Sequence, residues 1–162
     1  QVLMSGAASV RFMYCIRNIE DCYLSLVAMP WFGQSEEQFI QRYLKSLRRA
    51  LSLRSEVASS GADGSLAILN LDQFIRAEDQ ARWIKEELFD AIGVPVTLER
   101  ARVLVDTIGN SNSTVNTTGV VRKKELNDQA YSVFERHRSE IEAEVSEFNQ
   151  RFDESLGTFK TR

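Results

Sequence analysis

The sequence predicts an α/β fold rich in helix, on three observations. Two short apolar runs, VRFMYCI over Val10–Ile16 and SLAILNL over 65–71, have the length and the β-branched or aromatic content of buried strands. The segments after each run place apolar residues three and four apart, the period of a helix with one buried face. Helix between two strands is what a parallel crossover requires, and ligands of such folds sit at the carboxyl ends of strands.

The elements follow in order. The first strand ends abruptly at Arg17 and Asn18, where Asn18 can cap a helix that carries Asp21 in its first turn and stops at Pro30. Ser35 with Glu36, Glu37 and Gln38 opens a second helix, buried through Phe39, Ile40, Tyr43, Leu44, Leu47 and Leu51. Its other face carries Arg42, Lys45, Arg48, Arg49 and Arg54 and reads as a solvated basic face with no assigned function. SSGADG is a loop, and the second strand over 65–71 is followed by Asp72. From Asp79 the residues Ala81, Trp83, Ile84, Leu88 and Ile92 give a third helix, which Gly93 and Pro95 terminate. A short helix over 98–108 comes next. GNSNSTVNTTG is a polar loop long enough for a ligand-binding or mobile role, with disorder as the alternative. One long helix over 125–153 closes the chain, with Ala130, Phe134, His137, Ile141, Val145, Phe148 and Phe152 in a stripe. Two strands make a poor sheet, so the expectation is one domain over 1–162 that belongs to a larger α/β unit.

Composition removes several functions. The 162 residues are 43% hydrophobic and 27% charged, enough for one core. Twenty Lys and Arg against 23 Asp and Glu give a net charge of −3, which offers no general attraction to nucleic acid or an anionic membrane. No apolar run approaches the roughly 20 residues of a membrane span, and the first residues lack the pattern of a signal peptide. Cys15, Cys22 and the single His137 are too few for a zinc site or a Cys/His or Ser/His/Asp set, so no metal is expected. His137, inside an apolar stripe, reads as a packed, hydrogen-bonded histidine. Neither G-x-G-x-x-G nor G-x-x-x-x-G-K-[ST] occurs.

What remains is R-N-x-x-D-x-x-x-S at the first strand-to-helix junction: Arg17, Asn18, Asp21 and Ser25. A helix N-terminus favours an anion, a guanidinium before it can grip a phosphate with two hydrogen bonds, and a hydroxyl can add a third. Three- and four-residue spacing keeps Asn18, Asp21 or Cys22, and Ser25 on one face, so Ser25 is within reach of a long arginine. A surface ion pair and a packing serine are the plainer reading of the same residues.

SVRFMYCIRNIEDCYLSLVAMPW resembles the 3′-phosphate-binding segment of the PAPS-dependent sulfotransferases (PAPS, 3′-phosphoadenosine 5′-phosphosulfate). Arg17, Asn18, Asp21 and Ser25 match that segment in type and spacing, while Ile19 stands where the family usually has proline. The helix FIQRYLKSLRRAL, the strand after it, and the helix closing on Ile92, Gly93, Val94 and Pro95 continue the likeness. Asn116 to Gly119 with Arg122 and Lys123 fall where the family has a late nucleotide-covering loop ending Arg-Lys-Gly, although Lys124 replaces the glycine here.

The resemblance implies a P-loop-like sulfotransferase fold, incomplete in this chain, which would be its carboxyl-terminal part without the first strand and phosphosulfate loop. It implies transfer of a sulfuryl group from PAPS to a hydroxyl or amine acceptor, with adenosine 3′,5′-bisphosphate as product. Arg17 and Ser25 would hold the 3′-phosphate, and Arg122 and Lys123 are further cofactor-binding candidates. The catalytic residues and the acceptor stay unassigned, and the chain alone is not expected to catalyse. The alternative is a non-catalytic helical module that binds a protein partner. Localisation stays open between the cytoplasm and the secretory pathway, which the sequons at Asn112 and Asn116 would suit.

Overall fold

A computed structural model describes residues 10–59, 64–111 and 125–158. Two strands, β1 (Val10–Ile16) and β2 (Gly64–Asn70), and seven helices account for most of them: α1 (Ile19–Val27), α2 (Glu36–Ser59), α3 (Leu71–Arg76), α4 (Gln80–Ile84, continuing as a π turn over Lys85–Asp90), α5 (Leu98–Ser111), α6 (Asp128–Arg136) and α7 (Arg138–Phe152). The described residues are therefore α/β with helix predominating and two parallel strands in register from Val10↔Gly64 to Ile16↔Asn70. The described residues form two compact units, 10–16 with 50–59 and 64–111, and 17–49 with 125–158.

The first unit contains the sheet. Its core is Ala67, Leu69, Ala81, Ile84, Leu88 and Ala101, with Phe74, Trp83, Phe89 and Val105 packed around them. Side chains alternate along a strand, and only part of β1 matches the expected buried strand. Ile16 is buried and Phe12 and Tyr14 half-buried, but Arg11, Met13 and Cys15 lie exposed on the opposite face, Met13 at 53%. On β2 the residues in register with Met13 and Cys15, Ala67 and Leu69, are buried.

The second strand ends one residue before the expected boundary, because Asn70 starts a helix absent from the sequence reading. Its side chain accepts from the N–H groups of Asp72 and Gln73, 3.2 and 3.4 Å away, and α3 follows at once. Asp79 caps α4 at the Arg82 N–H, 3.0 Å away. The helix then widens over Lys85–Asp90, where Lys85 Nζ reaches Asp90 Oδ2 five residues on, 2.7 Å away. It closes as expected at Gly93, with φ +65°. The Gly93 N–H donates to Asp90 O and the Val94 N–H to Phe89 O, at 3.0 and 2.8 Å, which is the double bond of a Schellman ending. Thr97 caps α5, which runs three residues beyond the expected stop, to Ser111.

The second unit is helical. Ile19, Tyr23 and Leu24 of α1, Phe39, Ile40, Leu44 and Leu47 of α2, Phe134 of α6, and Ile141, Val145 and Phe148 of α7 make its core. Four rings meet there: Tyr23 lies 6.1, 5.3 and 5.4 Å from Phe32, Phe39 and Phe134. The box that opens α2 is reciprocal, Gln38 N–H to Ser35 Oγ at 3.3 Å and Ser35 N–H to Gln38 Oε1 at 3.1 Å.

The single long terminal helix of the sequence reading is two helices. At His137 (φ −98°, ψ 4°) the N–H turns back to Phe134 O, 3.1 Å, and the ladder restarts with Ile141 N–H donating to His137 O. Arg138 ties the two helices across this break by bonding Glu135 behind it and Glu142 ahead of it, 3.2 Å from the latter. That partner holds the Glu135 carboxyl below its ordinary range and Arg138 above its own. His137 is partly buried, as expected, with Nδ1 3.3 Å from Glu140 Oε2. Arg48, on the basic face of α2, pairs with Glu144 and Glu140 of α7 at 2.6 and 3.3 Å.

Candidate functional site

Arg17 directly follows β1, and Asn18 opens α1. The Asn18 Oδ1 accepts from the N–H groups of Glu20 and Asp21, 2.9 and 3.2 Å away, while its backbone carbonyl takes the Cys22 N–H at 2.9 Å. The cap expected of Asn18 is thus present. It also occupies two of the N–H groups that an anion at this helix end would use, so a ligand here depends on side chains more than on the backbone.

Arg17 turns along the helix and donates from Nη1 to Ser25 Oγ at 2.9 Å. The sequence spacing had brought these two side chains within reach, and the structure brings them into contact. Ser25 is half-buried two turns into α1 and accepts this bond through its oxygen. Its own hydroxyl hydrogen has no acceptor among the described residues, so the pair presents a cation and an O–H donor side by side.

The main chain at Arg17 is fixed from a second side. Tyr43 of α2 donates its phenolic O–H to the Arg17 carbonyl at 2.9 Å. Nothing marked Tyr43 as part of the site in the sequence, where it is one more member of the α2 apolar stripe. The usable signal was its hydroxyl, since a tyrosine in such a stripe needs a polar partner for its tip. Tyr23, one helix turn before residue 27, instead bonds Glu36 at 2.8 Å, and its phenol is pushed far above its ordinary value by burial first and by Glu36 second.

A third support comes from the end of the chain. Asn18 Nδ2 donates to the Thr158 carbonyl at 2.9 Å. Gly157 lies so close that a Cβ there would sit 3.4 Å from the same nitrogen. Working against anion binding are Glu20, buried, and Asp21, half-buried, both in the first turn of α1. They stabilise the positive end of the helix and repel a second anion, leaving Arg17 as the attracting charge.

Arg122, Lys123 and the sequons at Asn112 and Asn116 lie outside the described residues. The described residues contain no cluster of His, Cys, Asp and Glu fit for a metal, and no helix among them is long and apolar enough to cross a membrane. Neither Cys15 nor Cys22 is in a disulfide. The first unit has a separate open cleft of about 600 Å³ lined by residues 77–81 with Arg102, Val105 and Asp106, in which Arg102 and Asp79 approach to 4.0 Å. Comparison with protein-family models, with curated proteins and with solved structures returns no match for this chain.

Proposed function

We propose that this chain supplies the 3′-phosphate-binding part of a PAPS-dependent sulfotransferase, with a P-loop-like fold as its setting. The observation that carries the reading is the 2.9 Å contact of Arg17 with Ser25 at the start of α1. A guanidinium and a hydroxyl held together, beside a capped helix N-terminus, suit the three oxygens of a terminal phosphate monoester.

In the reaction, an acceptor oxygen or nitrogen bonds to sulfur as the bond from sulfur to the bridging phosphate oxygen breaks. Adenosine 3′,5′-bisphosphate leaves with that electron pair, and the acceptor proton passes to a base. Arg17 and Ser25 take no part in those bond changes. They bind the end of the donor that distinguishes PAPS from an adenosine 5′-phosphate, and so fix where the phosphosulfate lies. No described residue is assigned to the chemical step.

The test is calorimetric titration of adenosine 3′,5′-bisphosphate and of adenosine 5′-phosphate into the protein and into Arg17→Ala. A charge-assisted bond is worth about 1.5–3 kcal/mol, so the variant should lose roughly 10- to 150-fold in affinity for the bisphosphate. Affinity for the 5′-phosphate should not change. Absence of binding by folded protein, or binding indifferent to Arg17, overturns the reading.

A further inference from the structure

We propose that residues 154–158 act as a strap, held by Asn149 against Asn18, that sets the anion affinity of the Arg17–Ser25 pair. The inference rests on the reading of that pair as a phosphate site. It makes Asn149, distant in sequence from the pair, a positioning residue for it.

The strap begins where α7 ends. Asp153 adopts the left-handed conformation at φ 56°, and the Glu154 N–H donates back to Asn149 O at 3.0 Å, which reverses the chain. The Asn149 side chain then grips Leu156 at both of its backbone groups. Nδ2 donates to Leu156 O at 3.0 Å, and Oδ1 accepts from Leu156 N–H at 2.9 Å. With both ends of its amide used, Asn149 serves Leu156 as a neighbouring strand would. The Leu156 side chain is buried, so an apolar anchor reinforces the two hydrogen bonds.

Two residues further on, Thr158 O receives the Asn18 Nδ2 bond. Asn18 is itself buried, and its amide is fully committed in the opposite direction, with Oδ1 on the Glu20 and Asp21 N–H groups. Thr158 therefore decides which way the Asn18 amide points and keeps its oxygen on the helix. The adjacent Arg17 carbonyl is held by Tyr43. Between these two anchors the backbone that carries the guanidinium is fixed, and a fixed guanidinium binds phosphate without the cost of ordering it first. Without the strap, the buried Asn18 amide loses the Thr158 carbonyl, and the first turn of α1 loosens beside Arg17.

The experiment measures bisphosphate and 5′-phosphate affinities of Asn149→Ala and Asn149→Asp by calorimetry, on protein shown by circular dichroism to be folded at the working temperature. Aspartate keeps the acceptor for the Leu156 N–H and loses the donor, so it provides a milder release should alanine fail to fold. The expected result is a three- to tenfold loss of bisphosphate affinity in Asn149→Ala, a smaller loss in Asn149→Asp, and unchanged 5′-phosphate affinity in both. A merely structural asparagine would not alter the preference between two nucleotides that differ only at the 3′ position. If wild-type protein prefers the bisphosphate and both variants keep that preference in full, the strap is overturned while the site stands. If folded wild-type protein does not bind the bisphosphate, the site is overturned and the strap with it.

Discussion

Replacing Asn18 by alanine removes two separate contributions whose sum can be worked out from its contacts. The first is the cap: Oδ1 serves the Glu20 and Asp21 N–H groups, and loss of an asparagine cap costs about 1 kcal/mol. The second is the Nδ2 bond to Thr158 O, with a net value of about 1 kcal/mol. Asn18→Ala should therefore destabilise by about 2 kcal/mol, a sizeable share of the 5–15 kcal/mol that hold a typical domain folded. With a urea slope of about 2 kcal/mol per molar, the unfolding midpoint followed by circular dichroism should fall by about 1 M. Asn18→Ser separates the two contributions, because serine caps as well as asparagine but is too short to reach Thr158. It should lose about half as much. An alanine variant that costs under about 0.5 kcal/mol, below the range expected for either term, would refute the reasoning. So would a serine variant as unstable as alanine, since the cap would then contribute nothing.

Gly93→Ala should destabilise by about 1–2 kcal/mol, because φ of +65° disfavours any Cβ and this one would also crowd the Arg11 guanidinium; Gly33→Ala, with nothing within 4 Å, should be neutral by the same urea assay. The Glu135 carboxyl, held low chiefly by its hydrogen bond from Arg138, stabilises the folded state at neutral pH, and that contribution is lost as pH falls below the ordinary carboxylate range through the folded value. Glu135→Gln should therefore be less stable than wild type at pH 7 and match it in strong acid, and an NMR titration placing Glu135 at or above an ordinary glutamate would contradict this. Partial burial raises the Cys15 thiol, so in a Cys22→Ser background iodoacetamide should alkylate it more slowly than a free cysteine at pH 8; an equal rate would show a freely ionising thiol.

Features set by neighbouring residues were legible in the sequence. The Asn18 cap, the Ser35–Gln38 box and the Gly93 ending each rest on hydrogen bonds that span a few residues, so residue type and spacing suffice. Arg17 with Ser25 belongs to the same class, since one helix face relates them. Asn70 was missed although its chemistry is the same, because an apolar run that continues through Leu71 conceals the switch from strand to helix. The break at His137 was hidden for a similar reason: an unbroken apolar stripe runs through it and carries no Gly or Pro. The exposed face of β1, the Tyr43 bond to Arg17 and the Asn149 clamp on Leu156 depend on which elements pack together, which local periodicity does not encode. At the site, residue type and spacing therefore point to Arg17, Ser25 and the Asn18 cap, but not to Tyr43, Asn149 and Thr158, which hold them from elsewhere in the chain.

The parallel ladder has a consequence for how the chain reaches this state. Every rung, from Val10↔Gly64 to Ile16↔Asn70, joins residues separated by both α1 and α2, so none can form until the intervening chain has been ordered or its closure entropy overcome. During synthesis β1 emerges well before its partner and waits unpaired, as a seven-residue apolar and aromatic segment of the kind that seeds intermolecular sheets. Arg11 near its start and Arg17 just past its end then act as gatekeepers, charges that disfavour stacking of like segments. Arg17 would thus serve the protein twice, first by protecting a nascent strand and later by holding its partner hydroxyl on the finished helix.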